Sequence, residues 1–398
     1  MNRLRRLPLP RLIILVVAVV AVLGAGTALA AGALSGSGAK PPAKPLAQAL
    51  HDAATAPAVD GVSADITFTN HLIDGASLAG GGTPLLTGAT GRLWAAPDGR
   101  VRLELQSDRG DAQIVSDGKT ATVYDASSNT AYEIALPADK GAQDKPDAHQ
   151  PPTVARIQQF LDKLARSTDV SGAVPSNVAG REAYTVKLSP SHDGGLVGAA
   201  KLAWDAANGT PLRAAVYASG KSDPVLELEA THISFNHVAA SDLTAAVPSG
   251  AKVVKVDAGA RTADKGAPDH AKDVAGVKAV AAKLPFALKA PDTLVGLPRR
   301  QVRLLAMDDK QGAVVTYGAG LGGIAVVQTE VKPADKQGAP KGDRQGLALP
   351  KISIPGTTGG QELATALGTA VTFQRDAVQY TILGSVTPQA AEAAARGL

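Results

Sequence analysis

From Val62 to Thr69 the chain reads VSADITFT, in which Val62, Ala64, Ile66 and Phe68 alternate with Ser63, Asp65, Thr67 and Thr69. A period of two is that of a β-strand with one face on a core. RVRLELQ repeats the alternation with Val101, Leu103 and Leu105. Asp117-Gly118 then predicts a tight hairpin turn before KTATVYD, and TAYEIAL continues the meander. REAYTVKL, AAKLAWD, TPLRAAVYA and PVLELEATHISF predict further strands. In the last of these the apolar parity slips between Ala230 and Ile233, which predicts a bulge. VYDASSNTA and AWDAANGTP both place aromatic-Asp-Ala before an Asn-containing turn, a reuse of hairpin chemistry in which Asp and Asn favour turns locally.

A helical period interrupts the strands. After the polar, proline-rich residues 137–152, Thr153 can cap a helix whose Val154, Ile157, Phe160, Leu161 and Leu164 share one face. Residues 46–56 predict another short helix. A long antiparallel sheet with one amphipathic helix is closed most economically by laying the apolar stripe on the concave face. The interior is then either a packed core or, where the surfaces fit imperfectly, an apolar cavity suited to acyl chains. After VPSG at 247–250, an alanine-rich charged stretch runs to about Lys283 and predicts a linker with a helix near its end. QVRLLAM, GAVVTYG, GIAVVQTEV, TAVTFQR and VQYTILGSV predict the strands of a second, smaller unit. GQELATAL predicts a short helix or turn, and Thr387 with Pro388 opens a last helix. The organisation expected is 1–34 signal or anchor, 35–45 spacer, 46–250 main domain, 251–283 linker and 284–398 small α+β domain.

The N-terminus changes the picture. Arg3, Arg5, Arg6 and Arg11 precede an uncharged apolar run from Leu12 to Leu34, which directs the chain out of the cytoplasm. That run, about 20 residues or more, suffices for a membrane anchor with the arginines inside, whereas Ala28-Leu29-Ala30 offers a cleavage site. The protein is therefore expected on the outer face of the cytoplasmic membrane, or secreted if cut after Ala30. There is no cysteine, so neither N-terminal lipid attachment nor disulfides are available and burial must hold the fold. The formal charge of +4 comes from those four arginines, leaving 36 basic against 36 acidic residues. With 3% aromatics, the folded part offers neither a basic face nor stacking platforms, which argues against nucleic acid as a partner.

Candidate chemistry is sparse. His51, His71, His149, His192, His232, His237 and His270 show no zinc-ligand spacing, and G-x-S-x-G, P-loop and H-E-x-x-H motifs are all missing. Gly318 to Gly323 matches G-x-G-x-x-G, but the alternating run IAVVQTEV follows where a phosphate-binding helix would have to start. A glycine turn between strands is the expectation. No catalytic residue, metal or cofactor is predicted, and the chain is expected not to be an enzyme.

GRLWAAPDGRVRLEL, IVSDGKTATVYDASSNTAYEI, AGREAYTVKL and AKLAWDAANGTPLRAAVY resemble the superfamily of LolA and LolB lipoprotein carriers, LppX-type lipid-binding proteins and MucB/RseB envelope-stress regulators, over about residues 46–250. The resemblance implies an α+β fold: an N-terminal unclosed antiparallel β-barrel with a helical plug, followed by a small α+β domain. It also implies an apolar cavity for lipid or a lipoprotein acyl chain, with Ile66, Phe68, Trp94, Leu103, Leu105, Tyr124 and Phe160 as the candidate barrel-facing ligand contacts. Ala95 and Ala96 stand where soluble carriers have a lid-latching arginine before the proline matching Pro97, which speaks against a latch-driven shuttle. The C-terminal stretches LPFALKAPDTLVGLPRRQVRLL and VVTYGAGLGGIAVVQ are similar to small domains found beside such modules. The functions implied are lipid or acyl carriage or sensing at the membrane and, alternatively, binding of an anti-sigma factor or other membrane protein through residues 284–398.

Overall fold

The computed structural model describes residues 6–8, 38–73, 83–136, 151–192, 194–244, 246–256, 274–307, 310–331 and 346–398. The apolar run Leu12–Leu34 lies outside them, as do residues 137–150 of the polar loop and most of the 251–283 linker. Among the described residues no helix is long and apolar enough to cross a membrane. The chain divides into two compact units, one of residues 12–191 with 199–262, the other of 263–398 with 1–11 and 192–198.

The first unit is an open half-barrel of thirteen strands. In chain order they are β1 (Val62–Asn70), β2 (Ala89–Ala95), β3 (Val101–Ser107), β4 (Gly110–Ser116), β5 (Thr120–Asp125), β6 (Thr130–Ala135), β7 (Thr168–Val170), β8 (Val174–Val178), β9 (Arg181–Pro190), β10 (Val197–Asp205), β11 (Pro211–Ala218), β12 (Pro224–Ser234) and β13 (Lys252–Val256). They lie in the order β13-β6-β5-β4-β3-β2-β1-β12-β11-β10-β9-β7, with β8 also paired to β9. Register carries the hydrophobic pattern across the sheet. Ala64 faces Leu93, Leu93 faces Leu103, Leu103 faces Ile114, Ile114 faces Val123 and Val123 faces Tyr132. One apolar row thus crosses six strands, and a slip of one residue at any hairpin would turn part of it to solvent. The Asp117-Gly118 hairpin holds its register because Asp117 Oδ1 accepts from the amides of Lys119 and Thr120 at 2.8 and 2.6 Å. The helix α2 (Pro84–Thr87) packs Leu85 and Leu86 against β1, β3 and β4, and Asn70 Nδ2 donates to Leu85 O at 2.7 Å.

The predicted bulge is present: the β12–β1 register shifts between Ala230 and His232, and the extra residue Thr231 donates its hydroxyl to Asp65 O at 3.2 Å. The two echoed turns share one geometry. Asp125 and Asp205 are each 1% exposed, and Asn129 and Gly209, four residues on, both have positive φ. Ala126 N bonds to Asp111 O and Ala206 N to Glu182 O in the preceding strand.

Two expectations need correction here. The sheet is not wholly antiparallel, because β13 runs parallel to β6; it is reached from β12 by a long connection instead of a tight turn, which is what parallel pairing requires. The amphipathic helix α3 (Val154–Leu164) forms, and Thr153 Oγ1 accepts from Arg156 N at 3.3 Å, but only Ile157 of its stripe is buried. It packs on α1 (Leu46–Thr55) and touches β7, and its Leu161 joins Leu46, Ala49, Tyr184 and Trp204. The helix therefore covers one end of the sheet and does not plug its length.

The second unit has a seven-stranded antiparallel sheet in the order β14-β15-β16-β17-β20-β19-β18, built from Thr293–Leu294, Leu297–Met307, Lys310–Tyr317, Ile324–Glu330, Thr358–Thr365, Gly368–Arg375 and Val378–Gly384 in chain order. Its core face carries Val315, Val326, Ile382 and Val371 in one cross-strand row, with Phe373 stacked on Tyr380 at 5.0 Å. The short helix α4 (Val277–Ala281) buries Val280 in this core, and α5 (Pro388–Arg396) adds Ala391, Ala394 and Ala395, its N-terminus capped by Thr387 Oγ1 accepting from Ala390 N. GQELATAL, expected as a helix or turn, is strand β18 up to Thr365, with Ala366 and Leu367 in the turn that follows. Pairing of Glu362 with Val371 and of Leu363 with Ala370 overrides the helix preference of Glu, Leu and Ala. Gly318–Gly323 is the turn between β16 and β17, with positive φ at Gly318 and Gly320, and a strand follows it.

Candidate functional site

Four of the seven candidate ligand contacts come together. Ile66 and Phe68 on β1 and Leu103 and Leu105 on β3 lie on the apolar face of the half-barrel, each at most 4% exposed. The other three do not join them. Trp94 pairs with Ser63 and Arg102, and Tyr124 with Gln113, so strand parity puts both rings on the opposite, polar face. Tyr124 donates its hydroxyl to Asn129 Oδ1 at 3.0 Å. Phe160 is 63% exposed, because it sits on the rim of the α3 stripe and Ile157 and Leu161 take its centre.

The polar face was missed as a site. Its residues form cross-strand rows: His232, Asp65, Arg92, Glu104, Gln113 and Tyr124 in one, and Ser234, Ser63, Trp94 and Arg102 in the next. Asp65, Arg92 and Glu104 alternate in charge along the first row. His232 Nδ1 stands 3.9 Å and Arg92 Nε 3.3 Å from the Asp65 carboxylate, while Glu104 accepts from Gln113 at 3.1 Å and is paired with Arg102. The Arg102 guanidinium lies over the Trp94 ring, 5.3 Å from its centroid, and donates to Thr244 O at 3.1 Å and Asp242 O at 3.4 Å. Where the β12 bulge meets β1 and β2, these rows border a groove of about 300 Å³. Further along the face Arg213 bonds Glu227 at 2.6 Å; burial pushes the neighbouring Glu229 carboxyl above its usual value, and Arg213 opposes that rise.

The second unit offers a different surface. Opposite its core, Gln301, Thr316, Ala325, Leu383, Ala370 and Leu363 form a row across six strands. Beside it run Val314, Val327, Thr381 and Thr372. None of these ten side chains is charged, and Leu383 is 45% exposed. On the core side, burial pushes the Tyr317 hydroxyl up to about 12, and among the described residues no hydrogen-bond partner meets that oxygen. Among the described residues no group of three or more His, Asp or Glu side chains is placed to hold a metal ion.

No family model matches the chain, and no curated protein matches it. Among solved structures it is similar to MucB in complex with MucA(peri), at 18% identity over 88% of this chain and 94% of that one, with a TM-score of 0.40. It is also similar to the Pseudomonas aeruginosa MucA/MucB complex, at 17% identity over 88% and 96% with a TM-score of 0.41, and to MucB alone, at 18% over 87% and 94% with a TM-score of 0.35.

Proposed function

We propose that the chain is a non-catalytic binding protein of the cell envelope, held on the outer face of the cytoplasmic membrane or released after Ala30, whose C-terminal unit captures a membrane-protein partner of the anti-sigma-factor kind that the resemblance implies. Its support is the uncharged sheet face around Leu383. Six strands about 4.8 Å apart and two rows of side chains, the second spanning four of the strands, make a footprint of roughly 300 Å². An uncharged patch of that size suits one amphipathic segment of a partner. A charged segment would lose hydration there, and of the rows' direct strand partners only the exposed Arg303, opposite Val314, could answer an acidic one. The partner class is the same that the MucB structures carry, a protein.

The test is a photo-crosslinker at position 383 in the full chain, in its host membrane. It is expected to trap a membrane protein, and Leu383→Asp is expected to lower that partner's recovery at least about tenfold, as for loss of a central interface contact. Adducts only with lipid, or recovery unaffected by Leu383→Asp, would remove the proposal.

A second function, lipid or acyl binding, is favoured by the gathering of Ile66, Phe68, Leu103 and Leu105 on one face. These side chains are already covered, so a guest would have to displace protein atoms from them. Native mass spectrometry of the chain from its host is expected to show a co-purifying lipid under this reading. A clean protein mass under gentle conditions would end it.

A further inference from the structure

We infer that the groove at the β12 bulge is a saccharide-binding site. Six side chains form a two-by-three grid: His232, Asp65 and Arg92 in one row, Ser234, Ser63 and Trp94 in the other. The order follows from register alone, since His232 pairs with Asp65 and Asp65 with Arg92, while Ser234 pairs with Ser63 and Ser63 with Trp94. The groove exists because Thr231 is the extra residue of the bulge, which bends β12 and breaks the close lateral fit of a regular sheet.

The chemistry of the grid selects its ligand. A sugar hydroxyl is both donor and acceptor, and the grid supplies a carboxylate that only accepts, a guanidinium that only donates, and two serine hydroxyls and an imidazole that can do either. The polarised C–H edges of a pyranose pack on the negative face of an aromatic ring, and Trp94 borders the groove. That ring is held in advance. The guanidinium lying over it is fixed by Glu104 and by the carbonyls of Asp242 and Thr244, so little side-chain freedom remains to be lost on binding. A volume of about 300 Å³ is at the small end of ligand sites and suits one or two sugar rings. A simple anion fits less well, because the Asp65 carboxylate stands beside the Arg92 guanidinium and would repel it. It would also leave the indole unused.

The experiment is calorimetric titration of the full chain with chitobiose, cellobiose, maltose and mannobiose, in lauryldimethylamine oxide so that no sugar enters with the detergent. At least one disaccharide is expected to bind with saturation. Arg92→Ala and Trp94→Ala are each expected to weaken that binding at least about tenfold, equivalent to one good contact. Arg92 is largely exposed, so Arg92→Ala keeps the test decisive even if Trp94→Ala fails to fold. Absence of saturation with every disaccharide, undiminished binding by Arg92→Ala, or binding of inorganic phosphate in place of sugar would each overturn the proposal.

Discussion

Replacing Gly91 with alanine is expected to destabilise the half-barrel by about 3 kcal/mol or more, at the upper end of overpacking penalties. Gly91 sits in the middle of β2 between Ile66 and Leu105, in the register that carries the buried face. A β-carbon there would lie 1.8 Å from the backbone oxygen of Glu104. No rotamer change can relieve that overlap, because the obstacle is main chain held in the β3–β4 ladder through Glu104 and Gln113. The two strands must separate or the ladder must shift, and either exposes Leu103 and Leu105. Gly118→Ala makes the comparison. Its φ of +84° disfavours a side chain, but nothing lies within 4 Å of the new atom, so the cost should be about 1 kcal/mol. Both tryptophans, Trp94 and Trp204, belong to the half-barrel, so indole fluorescence during urea unfolding follows this unit alone. Equal midpoints for the two variants would contradict the steric account.

The alternating pattern made most of the fold legible, because parity and turn chemistry agree at the places that set register. Asp117-Gly118, Thr153 and Thr387 all act through residues within three positions, which is the range that sequence reports well. What local pattern could not show was direction and partnership. KVVKV falls in the stretch expected as a linker, yet it forms β13, because β6 offers it a parallel ladder. GQELATAL carries helix formers and becomes a strand because β19 offers it a ladder. The facing of Trp94 and Tyr124 was legible in parity, since Arg92 shares a face with Trp94 and Thr122 with Tyr124. The grid at the groove stayed hidden for another reason. His232, Asp65 and Arg92 are far apart in sequence, and only the combined registers of β12, β1 and β2 bring them side by side. The uncharged face of the second unit was half visible, since runs such as GAVVTYG lack charge on both parities and cannot say which face is core.

The sister turns at Asp125 and Asp205 allow one buried ion pair to be weighed against a neutral background. Asp205→Ala is expected to cost about 3 kcal/mol, in the range for breaking a buried charge pair. The Asp205 carboxylate is 1% exposed, takes Arg181 Nε at 2.7 Å on one oxygen and accepts the amides of Ala207 and Asn208 at 2.9 and 3.1 Å on the other. Its loss leaves both amides without their acceptor and a half-buried guanidinium without its anion. The turn has little slack, since Asn208 Nδ2 and Thr210 Oγ1 are already buried without partners and Gly209 lies against Ala53 O of α1. Asp125 is equally buried and accepts from Ser127 N, Ser127 Oγ and Ser128 Oγ, and among the described residues no ion pair joins it to a cation. Asp125→Ala should therefore lose turn hydrogen bonds alone, about 1–2 kcal/mol. The difference between the two variants assigns roughly 1–2 kcal/mol to the Arg181 pair, and Asp205→Asn, which keeps the turn acceptor but not the charge, should fall between them. Because Trp204 adjoins Asp205 and both turns lie in the half-barrel, the same fluorescence unfolding curves read all three variants. Asp205→Ala no more costly than Asp125→Ala would mean that the ion pair contributes nothing beyond turn geometry.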